Sequence, residues 1–178
     1  MRLVQLAIAN VDATVGAVKR NVDACLAHAH DLAARGAGLA VFPEQVIGGY
    51  ASEDLVQWTG FVDAQWAALT RFAEATRALP TVFGIGLSVG VGGELYNVAA
   101  VVHRGVVLGL VPKEKLPTYN VFYEARTHSR GTPGTRIATH GTVLGDQIFR
   151  FDFGTVAFEV CEDLWSPDGP MRRRCYAG

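Results

Sequence analysis

An excess of charge of one sign is missing from this chain: 16 basic against 17 acidic side chains leave a net charge of −1. A nucleic-acid groove or an anionic membrane surface is met with surplus Lys and Arg, so neither partner is expected. Lysine is scarce, represented only by Lys19, Lys113 and Lys115. Cysteine is equally scarce. Cys25, Cys161 and Cys175 make an odd set with no close pair, which argues against a disulfide framework and for a reducing, cytoplasmic compartment. No apolar stretch approaches the length of a membrane span, and Met1 to Ala9 lacks the charged-then-apolar layout of a signal peptide. Internal repeats, low-complexity tracts and interdomain linkers are absent as well. With 49% hydrophobic and 19% charged residues, positions 1–178 are expected to form a single globular domain with a sizeable core.

What is present has the periodicity of a mixed α/β protein. Leu3 to Ala9 suits a short buried strand. Val18, Val22, Cys25, Ala29 and Leu32 follow at spacings of four and three, one face of a helix, with Gly36 placed as its cap. Leu39 to Phe42 reads as a second buried strand, stopped by Pro43. A second helix is predicted over Val62 to Leu79, with Val62, Trp66, Leu69 and Ala73 inward and Pro80 beyond its end. Thr81 to Val89 is a third strand. Tyr96 to His103 and Val106 to Val111 flank a tight hairpin at Arg104-Gly105, and Ile148 to Phe151 and Thr155 to Val160 flank another. Pro112 to Gly141 is polar and rich in Pro and Gly, and a loop of that length is usually functional or disordered. The order β-α-β-α-β followed by hairpins predicts a mixed sheet.

Three segments carry residues suited to chemistry. Cys161 ends the apolar run Val156 to Val160 and is followed by a turn cluster, Ser166 to Pro170, so its thiol sits where a strand leaves the core. That is a place for a nucleophile, although a free cysteine is just as readily a small buried hydrophobe. Glu44 lies past the C-terminal end of the second strand, the edge where open α/β sheets place their sites, and a carboxylate there suits general acid–base work. Lys113 and Lys115 follow another buried strand, where an ammonium could depress a thiol's pKa or stabilise an oxyanion. Spacing does not choose between them, because residues two apart share a strand face. The five histidines show no metal-ligand spacing, and Gly84, Gly86 and Gly90 open no helix, so no metal and no dinucleotide are expected. Arg172-Arg173-Arg174 reads as the solvated face of a helix.

Glu, Lys and Cys in this order, in Phe42-Pro43-Glu44, Lys113-x-x-Leu116 and Cys161-Glu162-Asp163, resemble the three signatures of the nitrilase, or carbon–nitrogen hydrolase, superfamily. Gly48-Gly49-Tyr50, Leu116-Pro117-x-Tyr119, Val121 to Arg126 and Cys161 to Trp165 are most similar to one branch, the glutaminase domains of glutamine-dependent NAD synthetases. Tyr123 departs from that branch, where Asp is common.

The resemblance implies an α-β-β-α sandwich, incomplete at the C-terminus because the chain stops at Gly178. It implies a catalytic triad of Glu44, Lys113 and Cys161, with Glu124 in support and Tyr50, Tyr119, Glu162 and Trp165 lining a glutamine pocket. The implied activity is glutamine amidohydrolysis through a glutamyl thioester, without a metal or bound cofactor. ATP and Mg would belong to a synthetase domain that is absent here and would take the ammonia. A homo-oligomer is implied for the complete protein. The alternatives are an amidase or carbamoylase acting on another small amide, and an inert fragment that needs a partner.

Overall fold

The computed structural model describes residues 3–178; Met1 and Arg2, part of the N-terminal stretch read as a strand, lie outside the described residues. Two β-α-β units open the fold. Strand β1 (Leu6–Ile8) leads through helix α1 (Val18–Ala34) to β2 (Leu39–Val41), and β2 leads through α2 (Thr59–Ala75) to β3 (Val82–Val91). These three strands are parallel, with Ile8 beside Val41 and Val41 beside Gly84. Strands β4 (Glu94–His103) and β5 (Val106–Pro112) continue the sheet antiparallel. Arg104 (φ 47°) and Gly105 (φ 83°) make the turn between them, both in the left-handed region that a two-residue hairpin requires. A further hairpin, β6 (Arg136–Thr139) and β7 (Thr142–Gly145), completes a seven-stranded sheet of order β1-β2-β3-β4-β5-β7-β6. Strands β8 (Phe149–Phe151) and β9 (Gly154–Val156) pair separately, and α3 (Glu162–Trp165) and α4 (Met171–Ala177) follow.

Both faces of the large sheet are covered at its centre. Val22, Cys25 and Ala29 of α1 and Leu69, Phe72 and Ala73 of α2 pack on Ala40, Phe83, Ile85 and Leu87. Leu39, Val82, Val101 and Val111 face the other way, onto Phe149 and Phe158. Strand β3 is therefore buried on both sides, which is why its sequence runs apolar without alternation. The layers are helices, sheet and a second, small sheet, part of the sandwich expected from the sequence.

Several boundaries differ from expectation. The first strand is shorter than Leu3–Ala9 and lies at the sheet edge, where Leu6 and Ile8 are exposed instead of buried. Helix α2 starts earlier and ends at Ala75, where the Thr76 hydroxyl turns back to the Phe72 carbonyl. Trp66 is only partly buried and stacks on His140. The polar stretch 112–141 contains β6, whose alternating half-exposed residues carry little apolar signal. Strand β9 stops at Val156, short of Val160. The following residues spend their polar groups on side chains, Val160 N–H on Asp163 and the Phe158 carbonyl on Arg174, and not on a neighbouring strand.

The arginine run is the largest correction. Only Arg172 is exposed; Arg174 is buried and Arg173 half-buried, both paired with Glu114 and Asp146. The amphipathic period of α4 turns two adjacent arginines toward carboxylates that sequence order places far away.

Gly84 and Gly86 do permit close packing. A Cβ on Gly84 would lie 2.2 Å from the Phe158 ring, and one on Gly86 would lie 2.4 Å from Gln45 N and 2.5 Å from the Pro43 carbonyl. The neighbours of Gly86 are backbone and cannot rotate away. Gly86→Ala is accordingly expected to cost about 1–3 kcal/mol in urea unfolding. Gly90→Ala, whose nearest neighbour would be 3.8 Å away, should stay within about 0.5 kcal/mol. Equal midpoints for the two variants would contradict the packing argument.

Candidate active site

The end of β2 sets the position of Glu44. Phe42 N–H donates to Gly84 O (2.8 Å), Pro43 cannot continue the ladder, and Gln45 turns the chain at φ 48°. The turn is held against β3 by Ile47 N–H on Gly86 O (3.2 Å). Glu44 is left at the C-terminal edge of the parallel strands, with its side chain 18% exposed.

Register then brings two residues to that carboxylate. Val98 pairs with Pro112 on β4 and β5, and one step further Lys113 N–H donates to Asn97 O (2.8 Å). Asn97 and Lys113 are thus cross-strand neighbours and reach the same oxygen. Asn97 Nδ2 lies 2.6 Å and Lys113 Nζ 2.8 Å from Glu44 Oε1. Lys115, two residues on, has left the strand, and its ammonium pairs with Asp168 at 2.6 Å.

Lys113 is fully buried. Its ammonium also meets Glu124 Oε1 at 2.9 Å and Oε2 at 2.8 Å, the second contact being one of charge without hydrogen-bond alignment. Glu124 opens a 3-10 turn, Glu124–Arg126, and accepts from the Tyr50 hydroxyl at 3.0 Å. Burial pulls the Lys113 pKa down, but Glu44 and Glu124 together outweigh it and the net shift is upward. The ammonium is a fixed charge at any physiological pH.

Cys161 stands at the start of α3 with φ 48° and ψ −100°, a left-handed backbone that costs a non-glycine residue energy. Asp163 holds this bend. Its carboxylate accepts Val160 N–H (3.1 Å), Glu114 N–H (3.0 Å) and Lys115 N–H (2.8 Å), so one side chain joins the segment before the cysteine to the segment after the lysine. Cys161 is exposed, unlike the buried Cys25, and the core-thiol reading fails. Lys113 acts on this thiol in the expected direction, downward, but is outweighed. Burial, the Glu44 charge and a hydrogen bond to Glu44 push the thiol up, and Lys113 only partly opposes them. The thiol is protonated at neutral pH and sits beside a carboxylate able to take its proton.

Glu44, Lys113, Cys161 and Glu124 therefore converge, and Tyr50 joins them through Glu124. Burial and its anionic neighbours Glu124 and Glu44 push the Tyr50 hydroxyl up, so it remains a donor. Tyr119 and Glu162 pair with each other at 2.8 Å on the surface, and Trp165 is largely exposed. A slot of about 110 Å³ borders Glu44, Gly86, Phe158 and Cys161, while a cavity of about 220 Å³ borders Tyr50, Phe122, Glu124 and His128. The larger cavity touches neither Glu44 nor the thiol. Among the described residues no group of His, Cys, Asp and Glu is arranged to hold a metal ion.

Sequence reasoning missed Asn97, Asp163 and His128. Asn97 is a lone polar residue in an apolar strand, but its meaning depends on a register that no local pattern reveals. His128 Nε2 lies 3.0 Å from Ser88 Oγ and Nδ1 2.9 Å from Thr127 Oγ1, while its backbone N–H donates to the Glu124 backbone carbonyl at 2.8 Å. Burial and then the Lys113 charge lower its pKa to about 4, so it is neutral and anchors the Glu124 turn to β3.

A fold of this topology, with a thiol, an ammonium and carboxylates at one sheet edge, defines a class that comparison makes explicit. The carbon–nitrogen hydrolase family model matches residues 1–173, and the chain belongs to that family. Within it, the sequence is 34% identical over 182 residues to the glutamine-dependent NAD(+) synthetase of Mycobacterium tuberculosis, covering 98% of this chain and 27% of that protein. The chain thus spans under a third of the length of the curated relatives it matches. A glutamine-dependent NAD(+) synthetase from Cytophaga hutchinsonii superposes with a TM-score of 0.84 at 22% identity, over 89% of this chain and 28% of that one. An amidase from Nesterenkonia gives 0.74 at 18% identity, over 93% and 60%. The last two likenesses are of fold.

Proposed function

We propose that this domain hydrolyses the side-chain carboxamide of glutamine through a thioester on Cys161. The observation that carries the proposal is the buried Lys113 ammonium bridging Glu44 and Glu124, with the Cys161 thiol beside Glu44. An amide is a weak electrophile with a poor leaving group, so both ends need help. Glu44 takes the thiol proton as sulfur attacks the carbonyl carbon. Lys113 stabilises the oxyanion that forms, joined by the backbone N–H after Cys161; such donors are typically worth about 3 kcal/mol each. Glu44 returns the proton to the leaving nitrogen, the C–N bond breaks, and ammonia departs. Glu44 then activates water, which cleaves the C–S bond and restores the thiol with release of glutamate. Asn97 and Lys113 both occupy Glu44 Oε1, which leaves Oε2 to carry the proton. Glu124 holds Lys113 in place. Tyr50, Tyr119, Glu162 and Trp165 form the glutamine subsite on this reading.

On this reading the chemistry uses the chain's own groups and a water, with no metal or bound cofactor. The likeness to glutamine-dependent NAD synthetases supports delivery of the ammonia to a synthetase domain or chain, where ATP and Mg would act. Cytoplasmic location and homo-oligomerisation of the complete protein belong to the same reading.

Ammonia release from L-glutamine, from simple aliphatic amides and from N-carbamoyl amino acids tests substrate choice. Glutamine should lead in kcat/KM by about 100-fold or more, since a site built around polar substrate groups rejects analogues that lack them. A preference for aliphatic amides would overturn the glutamine assignment and point to a general amidase. No release from any of them, with a thiol of ordinary reactivity, would point to a fragment that is inert without its partner.

A further inference from the structure

The paired arginines of α4 take no part in the chemistry above, yet they lie at the junction of the two segments that supply it. Arg174 is 3% exposed. Its Nε lies 2.9 Å from Asp146 Oδ1, its Nη2 3.1 Å from Glu114 Oε1, and its Nη1 donates to the Phe158 carbonyl. Arg173 closes the quartet with Nε 2.6 Å from Asp146 Oδ2 and Nη2 2.5 Å from Glu114 Oε1. Two guanidinium and two carboxylate charges cancel, as a buried cluster requires.

The acceptors are informative. Glu114 directly follows Lys113. Phe158 belongs to the irregular run 157–160 that delivers Cys161 and makes no strand pairing of its own. Glu159 Oε1 adds a third tie, accepting the Met171 N–H at the start of α4 (2.6 Å). Asp163 also joins the backbone around Lys113 to that around Cys161. A strained residue such as Cys161 persists only where its surroundings over-determine it, and these contacts are those surroundings.

We propose that Arg173 and Arg174 are positioning residues that fix the distance between Lys113 and Cys161, so that one substrate carbonyl meets both the thiolate and the ammonium. The inference rests on the Glu44–Lys113–Cys161 reading. Arginine is required because a planar fork serves Asp146, Glu114 and the Phe158 carbonyl together, which the point charge of lysine does not. A quartet that only stabilised the fold would alter the amount of active protein and not the turnover of each folded molecule.

The test compares Arg174→Lys, Arg173→Lys and the exposed control Arg172→Gln in the full chain. Steady-state glutamine turnover and the rate at which a diazoketone analogue of glutamine alkylates Cys161, forming a thioether with loss of N2, are each corrected for folded fraction. Arg174→Lys is expected to lower kcat and the alkylation rate about 10–100-fold, the penalty of a misplaced reacting group, with KM changed less than about twofold. Arg173→Lys should show a smaller loss of the same kind, Arg172→Gln none, and added guanidinium should partly restore Arg174→Ala. Unchanged kcat in folded Arg174→Lys overturns the proposal. If Arg174→Lys does not fold, Arg173→Lys decides by the same criterion, and failure of both to fold assigns the quartet to the scaffold and overturns it equally. Turnover surviving in Cys161→Ala overturns this inference and the reading beneath it. A dead Cys161→Ala beside normal arginine variants removes the positioning role alone.

Discussion

Cys161→Ala should abolish glutamine-dependent ammonia release, by about 10⁴-fold or more, because loss of a nucleophile disables both half-reactions. The same variant should form no covalent adduct with a glutamine-like electrophile, read by intact-protein mass. Its fold should be unharmed, since Cys161 is exposed and adds little to the core. Cys161→Gly makes a sharper comparison. The residue holds φ 48° and ψ −100°, a conformation that costs a side-chain-bearing residue about 1–3 kcal/mol and glycine much less. Cys161→Gly is therefore expected to melt higher than Cys161→Ala while being just as inactive. Full turnover in either variant would remove the thioester mechanism, and identical melting temperatures would remove the claim of strain. The parent thiol, raised by burial and by Glu44, should react sluggishly with a neutral alkylating agent at pH 7. A substrate-like amide or diazoketone, positioned for Glu44 to take the proton, should react far faster.

Lys113→Ala carries the second largest effect, and on two readouts. The ammonium is fully buried between Glu44 and Glu124. Removing it leaves two largely buried carboxylates with no compensating charge, and breaking a buried pair from one side costs about 3–5 kcal/mol. Turnover of the remaining folded protein should fall by about 10²–10³-fold through the lost oxyanion partner. Lys115→Ala is the control. Its partner Asp168 is exposed, solvent screens that pair, and turnover should stay within about twofold of the parent. Two lysines in one motif thus separate by a large factor. Equal losses from the two substitutions would undo the assignment of Lys113.

Much of the scaffold was legible because it follows local periodicity. Val18, Val22, Cys25, Ala29 and Leu32 announce a helix face; Leu39 to Val41 and the residues of β3 announce buried strands. The Arg104-Gly105 turn announces its hairpin. What failed was legible only from partners distant in sequence. Leu6 and Ile8 read as core, yet their strand is a sheet edge and both side chains are exposed. The run 157–160 reads as strand, yet its hydrogen bonds go to Asp163 and Arg174. Arg173 and Arg174 read as solvated, yet Glu114 and Asp146 draw them inward.

The site divides in the same way. Glu44, Lys113 and Cys161 were nameable from their order and from the apolar runs that end at each, because strand ends at one sheet edge are where reactive groups collect. Sequence by itself determined the mixed α/β class, the family and the residue types available for chemistry. Tertiary structure decided which lysine is buried, that Asn97 shares the Glu44 oxygen, and that Asp163 and the arginine pair bind the two reactive segments together. The physical reason is range. Periodicity and turn preferences act over a few residues and are written locally. Burial, charge pairing and strand register are set by residues dozens of positions apart, and only the folded chain brings those together.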